Sequence, residues 1–86
     1  MKVRIPTPLR SYTGDQAVVD ADGATVSELL DDLDRRHPGI RFRMVDEQNQ
    51  VRQHMKLWIG DEPVRDLSTP VGRDDEVTIM QALSGG

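Results

Sequence analysis

The segment Ala82-Leu83-Ser84-Gly85-Gly86 at the end of the sequence has the residue types that point most directly to chemistry. Two glycines carry no side chains, so they leave an unhindered carboxylate at the tip of a tail that is free to extend. At ~3.3–3.6 Å per extended residue, the segment reaches about 17 Å. With glycine usage near 7%, a Gly-Gly end arises by chance roughly once in two hundred sequences. We therefore expect Leu83, Ser84 and Gly85 to carry the Gly86 carboxylate into a narrow channel of a partner protein.

The rest of the composition excludes several other kinds of site. The sequence has no cysteine, so the chain has no thiol nucleophile, thiolate metal ligand or disulfide. The two histidines, His37 and His54, cannot fill the ligand positions of a zinc site without carboxylate help, and we expect no metal. His37 follows a predicted helix, where capping is the more ordinary role for an imidazole.

Charge and hydropathy limit the partners and the location. The formal net charge of −4 argues against a nucleic-acid module, which needs a basic face to neutralise phosphates. The cluster of Arg35, Arg36, Arg41 and Arg43 is better explained as a solvated helix end, because aspartates stand beside it. No apolar run approaches the ~20 residues of a membrane span, and the start lacks a signal-peptide core. We expect a cytoplasmic protein with neither a nucleic-acid nor a membrane partner.

A hairpin is predicted at the start of the chain. Apolar and polar residues alternate from Lys2 to Leu9, the pattern of a strand with one buried face. Its two prolines lack the N–H that a sheet ladder needs, so we place them at a bulge or at the strand end. A turn over residues 12–15 then leads into a second, weaker strand over residues 17–21.

One amphipathic helix follows the hairpin. Thr25 and Glu28 have the capping-box spacing, in which each side chain accepts a backbone N–H at a helix start. Apolar residues then recur on one helical face, at Val26, Leu29, Leu30 and Leu33. Pro38-Gly39 ends the helix.

The second half of the chain predicts three more strands. The stretch after Ile40, residues 41–53, lacks a sustained period and is interpreted as a partly ordered connection. Residues 55–59 alternate as a third strand, and residues 63–65 allow a very short fourth. A turn or a single helical twist over residues 67–71 follows. The last strand is Glu76 to Gln81, with Val77 and Ile79 facing inward. This order predicts an α+β protein with a β-grasp (ubiquitin-like) domain over residues 1–81, in which one main helix covers a mixed sheet of four to five strands. Residues 82–86 would form a flexible tail.

With these features, the whole chain resembles the ThiS/MoaD family of sulfur carriers, prokaryotic relatives of ubiquitin. The resemblance rests on the Gly85-Gly86 end, the first strand, the helix after Thr25 and the Asp74-Asp75-Glu76-Val77 sequence that begins the last strand. Within the family, Ile5-Pro6-Thr7-Pro8-Leu9-Arg10 and the segment from Leu57 to Arg65 are most similar to carriers that serve cysteine biosynthesis.

The resemblance implies a mechanism centred on Gly86. An E1-like adenylyltransferase and sulfurtransferase would use ATP to adenylate the carboxylate, and a sulfur donor would convert the mixed anhydride to a thiocarboxylate. The thiocarboxylate would then pass sulfur to an acceptor enzyme that makes cysteine, molybdopterin, thiamin or a specialised metabolite. The chain would be a protein co-substrate and not an enzyme, with no bound cofactor.

A partner-binding face is expected on the side of the sheet away from the helix. In a β-grasp sheet this face gathers Arg4, Pro6, Lys56, Trp58, Thr78 and Met80. An exposed tryptophan beside a methionine and bases has the composition of an interface centre. The alternative is that the central connection folds over Trp58 and makes it part of the core.

Two other functions are compatible with the same sequence. The first is a ubiquitin-like protein modifier, in which the activated Gly86 forms an isopeptide bond with a target lysine. The second is a β-grasp interaction domain whose Gly-Gly end is accidental and which does not react with ATP. The three alternatives differ in their product: a thiocarboxylate on the free carrier, a set of conjugates, or no reaction.

Overall fold

Five strands form one mixed sheet in the computed structural model, which describes residues 1–82. They are β1 (Lys2–Arg4), β2 (Val18–Asp20), β3 (Met55–Ile59), β4 (Glu62–Val64) and β5 (Glu76–Gln81). Their spatial order is β2-β1-β5-β3-β4. Strand β5 is parallel to β1 and antiparallel to β3. The strand that leads into the tail is therefore the central strand of the sheet.

The main helix, α1 (Val26–Arg36), begins where its capping residues predict. The Thr25 hydroxyl accepts the backbone N–H of Glu28 at 3.2 Å, while the Glu28 carboxylate accepts the N–H of Ala24 at 3.4 Å, one residue earlier than in a regular capping box. The predicted apolar face is buried, with Leu29, Leu30 and Leu33 fully covered. They join Val3, Val77, Ile79 and Leu57 in one core, which fixes the helix on one side of the sheet.

The first strand is much shorter than the sequence pattern predicts. It ends at Arg4, and a 3-10 helix occupies Thr7–Tyr12 with Pro6 at its N-cap. Leu9 is buried as predicted, but from this helix and not from a strand. The physical reason lies in Pro6 and Pro8, which cannot donate to a ladder yet suit the first turn of a helix, where the N–H has no partner anyway.

A second helix spans Ile40–Met44, so the interpretation of the central connection as partly ordered is wrong for residues 41–44. The N-cap of this helix, α2, is Gly39, whose φ of 97° lies in the left-handed region. Its apolar residues Ile40 and Met44 are fully buried. Four residues apart, they make one contact stripe on a single turn, which is too short for a periodic signal in the sequence.

The remaining elements confirm the predicted α+β, β-grasp architecture, a five-stranded mixed sheet with one main helix on one face. Strands β3 and β5 have their predicted bounds, and the short fourth strand begins one residue earlier than expected, at Glu62. Within residues 1–82, no helix has the length and apolar character that crossing a bilayer requires.

Candidate functional site

Ala82, the last residue that the structure describes, is the root of the predicted tail. The backbone N–H of Ala82 donates to the carbonyl of His54 at 2.7 Å, which continues the pairing of Gln81 with Met55 by one further contact. Ala82 is exposed but still attached to the domain. The predicted reactive residues, Leu83, Ser84, Gly85 and Gly86, lie outside the described residues.

A continuous row of side chains crosses the sheet on the side opposite α1, which we call the open face. The register aligns Val18 with Arg4, Arg4 with Thr78, Thr78 with Trp58, and Trp58 with Pro63. The row thus takes one residue from every strand. Because successive side chains in a strand alternate between faces, the buried neighbours Val19, Val3, Val77 and Leu57 point to the core.

Trp58 lies near the middle of this row and is half-buried. Its indole Nε1 is covered, and within the described part of the chain it has no hydrogen-bond acceptor. The register places Trp58 on the open face and its side chain is only half-buried, which is compatible with the predicted interface role, and that role stays a prediction.

The other predicted interface residues are distributed unevenly. Met80 is 48% exposed and stands opposite Lys56, one step along the open face towards the tail. Arg4 is exposed and pairs with the carboxylate of Glu76 on the neighbouring strand. Pro6 is half-buried and lies beyond β1, at the start of the 3-10 helix, so it has no register partner in the sheet. Arg4, Trp58 and Met80 share the open face, whereas Pro6 borders it.

Two open-face residues were missed from the sequence. Val18 is 37% exposed at one edge of the row, and Pro63 is exposed at the other. The signal for Val18 was available, since Val18 and Val19 are adjacent and only one of them can face the core. Pro63 could be placed only by its pairing with Trp58, which the sequence does not give.

The clearest pKa shift belongs to a structural carboxylate away from this face. The backbone N–H of Asp22 donates to Asp32 at 2.9 Å, and Arg36 and Arg35 pair with the same carboxylate. These partners lower the pKa of Asp32 below its ordinary value, although burial acts in the opposite direction. The Ser68 hydroxyl and backbone N–H likewise lower the pKa of exposed Asp66. Neither group contacts the open face.

The described residues contain no candidate metal site. Across residues 1–82, no cluster of three or more histidine or carboxylate side chains has the arrangement of a metal site. What the geometry does provide is a tail root at the end of the central strand, beside a sheet face with a half-buried tryptophan and an exposed methionine.

Comparison with known protein families identifies the family of this chain. The sequence matches the family described as "ThiS family" over residues 3–86. The chain belongs to the ThiS family. Membership confirms the resemblance stated from the sequence, and it confirms that the chain is a protein co-substrate and not an enzyme.

Individual relatives cover nearly the whole chain. The sulfur carrier protein CysO of Mycobacterium tuberculosis (strain ATCC 25618 / H37Rv) is 37% identical over 89 residues, which span 98% of this chain and 96% of the relative. The solved Amycolatopsis orientalis BexX/CysO complex contains a chain with a TM-score of 0.91 and 40% identity, covering 99% of this chain and 98% of that one. The small archaeal modifier protein 1 of Haloferax volcanii has a TM-score of 0.79 and 27% identity, with coverage of 100% and 98%.

Proposed function

We propose that this protein is a sulfur carrier whose reactive group is the Gly86 carboxylate. The observation that carries the proposal is the ThiS family match, which runs over residues 3–86 and so includes the Gly-Gly end. The CysO relatives, named sulfur carrier proteins, support the cysteine-type branch of the family over nearly their full length. Residues 82–86 act as the tail, and residues 1–81 act as the handle that partner enzymes hold.

The reaction proceeds in two steps at one carbon atom. A Gly86 carboxylate oxygen attacks the α-phosphorus of ATP, pyrophosphate leaves, and the carboxylate becomes an acyl adenylate. A sulfide-level donor then attacks the carbonyl carbon, the bond to the AMP oxygen breaks, and AMP leaves a thiocarboxylate behind. Activation is needed because a carboxylate oxygen is a poor leaving group, and the thiocarboxylate sulfur is then a nucleophile for the acceptor's chemistry.

The domain contributes recognition to this scheme. Two partners are required: an E1-like enzyme that consumes ATP and installs sulfur, and an acceptor enzyme that takes the sulfur for biosynthesis. Both act in the cytoplasm in this proposal, and neither requires a cofactor bound by the carrier. The open face, centred on Trp58 with Met80 and Arg4, presents an aromatic, apolar and basic surface beside the tail root, the mixture that protein interfaces favour.

The test is to follow both steps on the purified chain. Incubation with the E1-like enzyme of the same organism and ATP should release pyrophosphate, and adding sulfide should raise the carrier mass by the replacement of one oxygen with sulfur. Peptide mapping should place that change on Gly86. A chain that remains unmodified and releases no pyrophosphate would rule out the carrier function.

A second candidate function is a protein modifier. It is favoured by the likeness to small archaeal modifier protein 1, which is 28% identical over the full length of both proteins. Both functions begin with the same acyl adenylate, but a modifier then joins Gly86 to a lysine of a target. Expression of a tagged chain in its own organism distinguishes them, since a ladder of lysine conjugates supports the modifier and a free thiocarboxylate supports the carrier.

A further inference from the structure

A basic and aromatic surface cleft borders the root of the tail. It is lined by Phe42 and Arg43 of α2 and by Arg52 and His54 of the segment that leads into β3. We call these four residues the tail-root patch. His54 belongs to it and also accepts the hydrogen bond from Ala82, so the patch and the root of the tail share a residue.

The patch is built by contacts between its own members. The Arg52 guanidinium lies 4.7 Å from the centroid of the Phe42 ring, and its Nε–H donates to the Phe42 carbonyl at 2.8 Å. Cation–π stacking of this kind holds a guanidinium in place while leaving its other N–H groups free to donate. Phe42 remains 56% exposed, the highest exposure among the large apolar side chains described.

The cations of the patch are not neutralised within the described chain. Four other arginines, Arg4, Arg35, Arg36 and Arg41, pair with carboxylates. Over residues 1–82, Arg43 and Arg52 form no such pair. Arg10, Arg65 and Arg73 likewise form no ion pair over these residues, but of the five only Arg43 and Arg52 line the cleft beside the tail root. A local excess of positive charge on an acidic protein attracts an acidic surface and repels a basic one.

The location of the tail-root patch beside Ala82 determines which surface its positive charge would contact. Residues 83–86, fully extended, reach only about 13–14 Å beyond Ala82. An enzyme that acts on Gly86 must therefore bring its surface close to Ala82, and the tail-root patch adjoins that point through His54. The patch lies at the rim of any complex in which the tail is used.

We propose that the tail-root patch is a second docking surface, separate from the open face, that receives an acidic segment of the activating enzyme beside its tail channel. The proposal rests on the proposed function, because it assumes that an enzyme takes the tail. Arg43 and Arg52 supply the charge and the exposed Phe42 ring supplies an apolar contact. Exposed charges at an interface rim act mainly on the rate of association, so the patch steers the carrier into productive orientation.

The first test uses decaglutamate as the probe and the full-length ¹⁵N-labelled chain. At low ionic strength, amide resonances of residues 42–43, 52–54 and Ala82 should shift, and the affinity should fall as salt shortens the Debye length. Arg43→Glu should weaken binding about fivefold more than Arg73→Glu, a matched charge reversal in the turn before β5. Absence of binding, shifts centred elsewhere, or equal weakening by both variants overturns the proposal.

The second test measures kcat/KM for adenylation with the E1-like enzyme. Arg43→Glu should lower it roughly tenfold at low salt, with the difference from Arg73→Glu shrinking at high salt. Arg43 is exposed and forms no ion pair within residues 1–82, so unchanged circular dichroism and melting are expected for that variant. Equal rates for the two variants overturn the patch and leave the carrier function standing. No pyrophosphate release from the unaltered chain overturns the carrier function itself.

Discussion

Trp58 stands directly opposite Thr78 in the antiparallel pairing of β3 with β5, and both face away from α1. Trp58 therefore lies beside the central strand at Thr78, and Thr78 precedes the exposed Met80 by two residues and the tail root at Ala82 by four. A partner that covers Trp58 covers the strand from which the tail leaves. Recognition of the domain and placement of the tail are thus geometrically linked.

Trp58→Ala should weaken binding to the activating enzyme by about 2 kcal/mol or more, roughly thirtyfold, if Trp58 is an interface anchor. The melting temperature should fall far less than for a core truncation, because the side chain is half-buried and its Nε1 has no hydrogen-bond acceptor within residues 1–82 to lose. Isothermal titration and thermal melting on one preparation measure both quantities. A large melting shift with normal affinity in the folded fraction would show that Trp58 is a core residue.

Removing Gly86, or adding one residue after it, should abolish adenylation while leaving the melting temperature unchanged. The reason is that the reaction needs the Gly86 carboxylate at one fixed depth in the enzyme, whereas the core consists of residues that precede the tail. Pyrophosphate release and thermal melting are compared for the three chains. Normal adenylation of the truncated or extended chain would contradict the assignment of Gly86.

Leu30→Ala should lower the free energy of unfolding by ~2–5 kcal/mol, the range observed when a buried leucine is replaced by alanine and a cavity is left behind. Leu30 is fully buried on the sheet-facing side of α1. Arg35→Ala is a control on the same helix that should lose less stability, since its side chain is 77% exposed and Arg36 stays paired with the Asp32 carboxylate that Arg35 leaves. Urea unfolding of both variants checks the difference. Equal stability would mean that the buried face of α1 has been misassigned.

Asp32→Asn should make the stability of the fold fall less steeply as the pH is lowered into the acid range. The pKa of Asp32 is lowered in the folded chain, first by the Asp22 N–H and then by Arg36 and Arg35, so its stabilising contribution is complete above the unfolded pKa of about 3.9. As pH falls below that value the unfolded state gains its proton first, and the contribution disappears at the lowered folded pKa.

Melting temperatures of Asp32→Asn and the unaltered chain, measured from neutral pH into this acid range, check the effect. The variant should be less stable at neutral pH, and the gap should narrow as the pH falls. A gap that stays constant through the acid range would show that the Asp32 charge does not contribute through this linkage.

Local signals predicted the parts of the fold that local chemistry determines. The Thr25 cap and the apolar spacing of Val26, Leu29, Leu30 and Leu33 were sufficient for α1, because both signals act within a few turns of one helix. The alternation in Met55–Ile59 and Glu76–Gln81 likewise gave β3 and β5. From these elements the open face and its tryptophan followed by geometry.

The parts that could not be predicted depend on contacts between distant segments. The alternation from Val3 to Leu9 has the period of a strand, but Pro6 and Pro8 convert its second half to a 3-10 helix. Helix α2 is one turn held by burial of Ile40 and Met44. The tail-root patch depends on α2, since Arg52 must meet Phe42 of that helix across ten residues of chain.

The central position of β5 also has a mechanical consequence. An enzyme that grips the tail pulls on a strand flanked by hydrogen-bonded neighbours on both sides, parallel β1 and antiparallel β3. Tension along such a strand loads both ladders in shear, so many hydrogen bonds share the force, whereas an edge strand could peel away from its single neighbour. The domain therefore resists traction along β5 through both neighbouring strands at once.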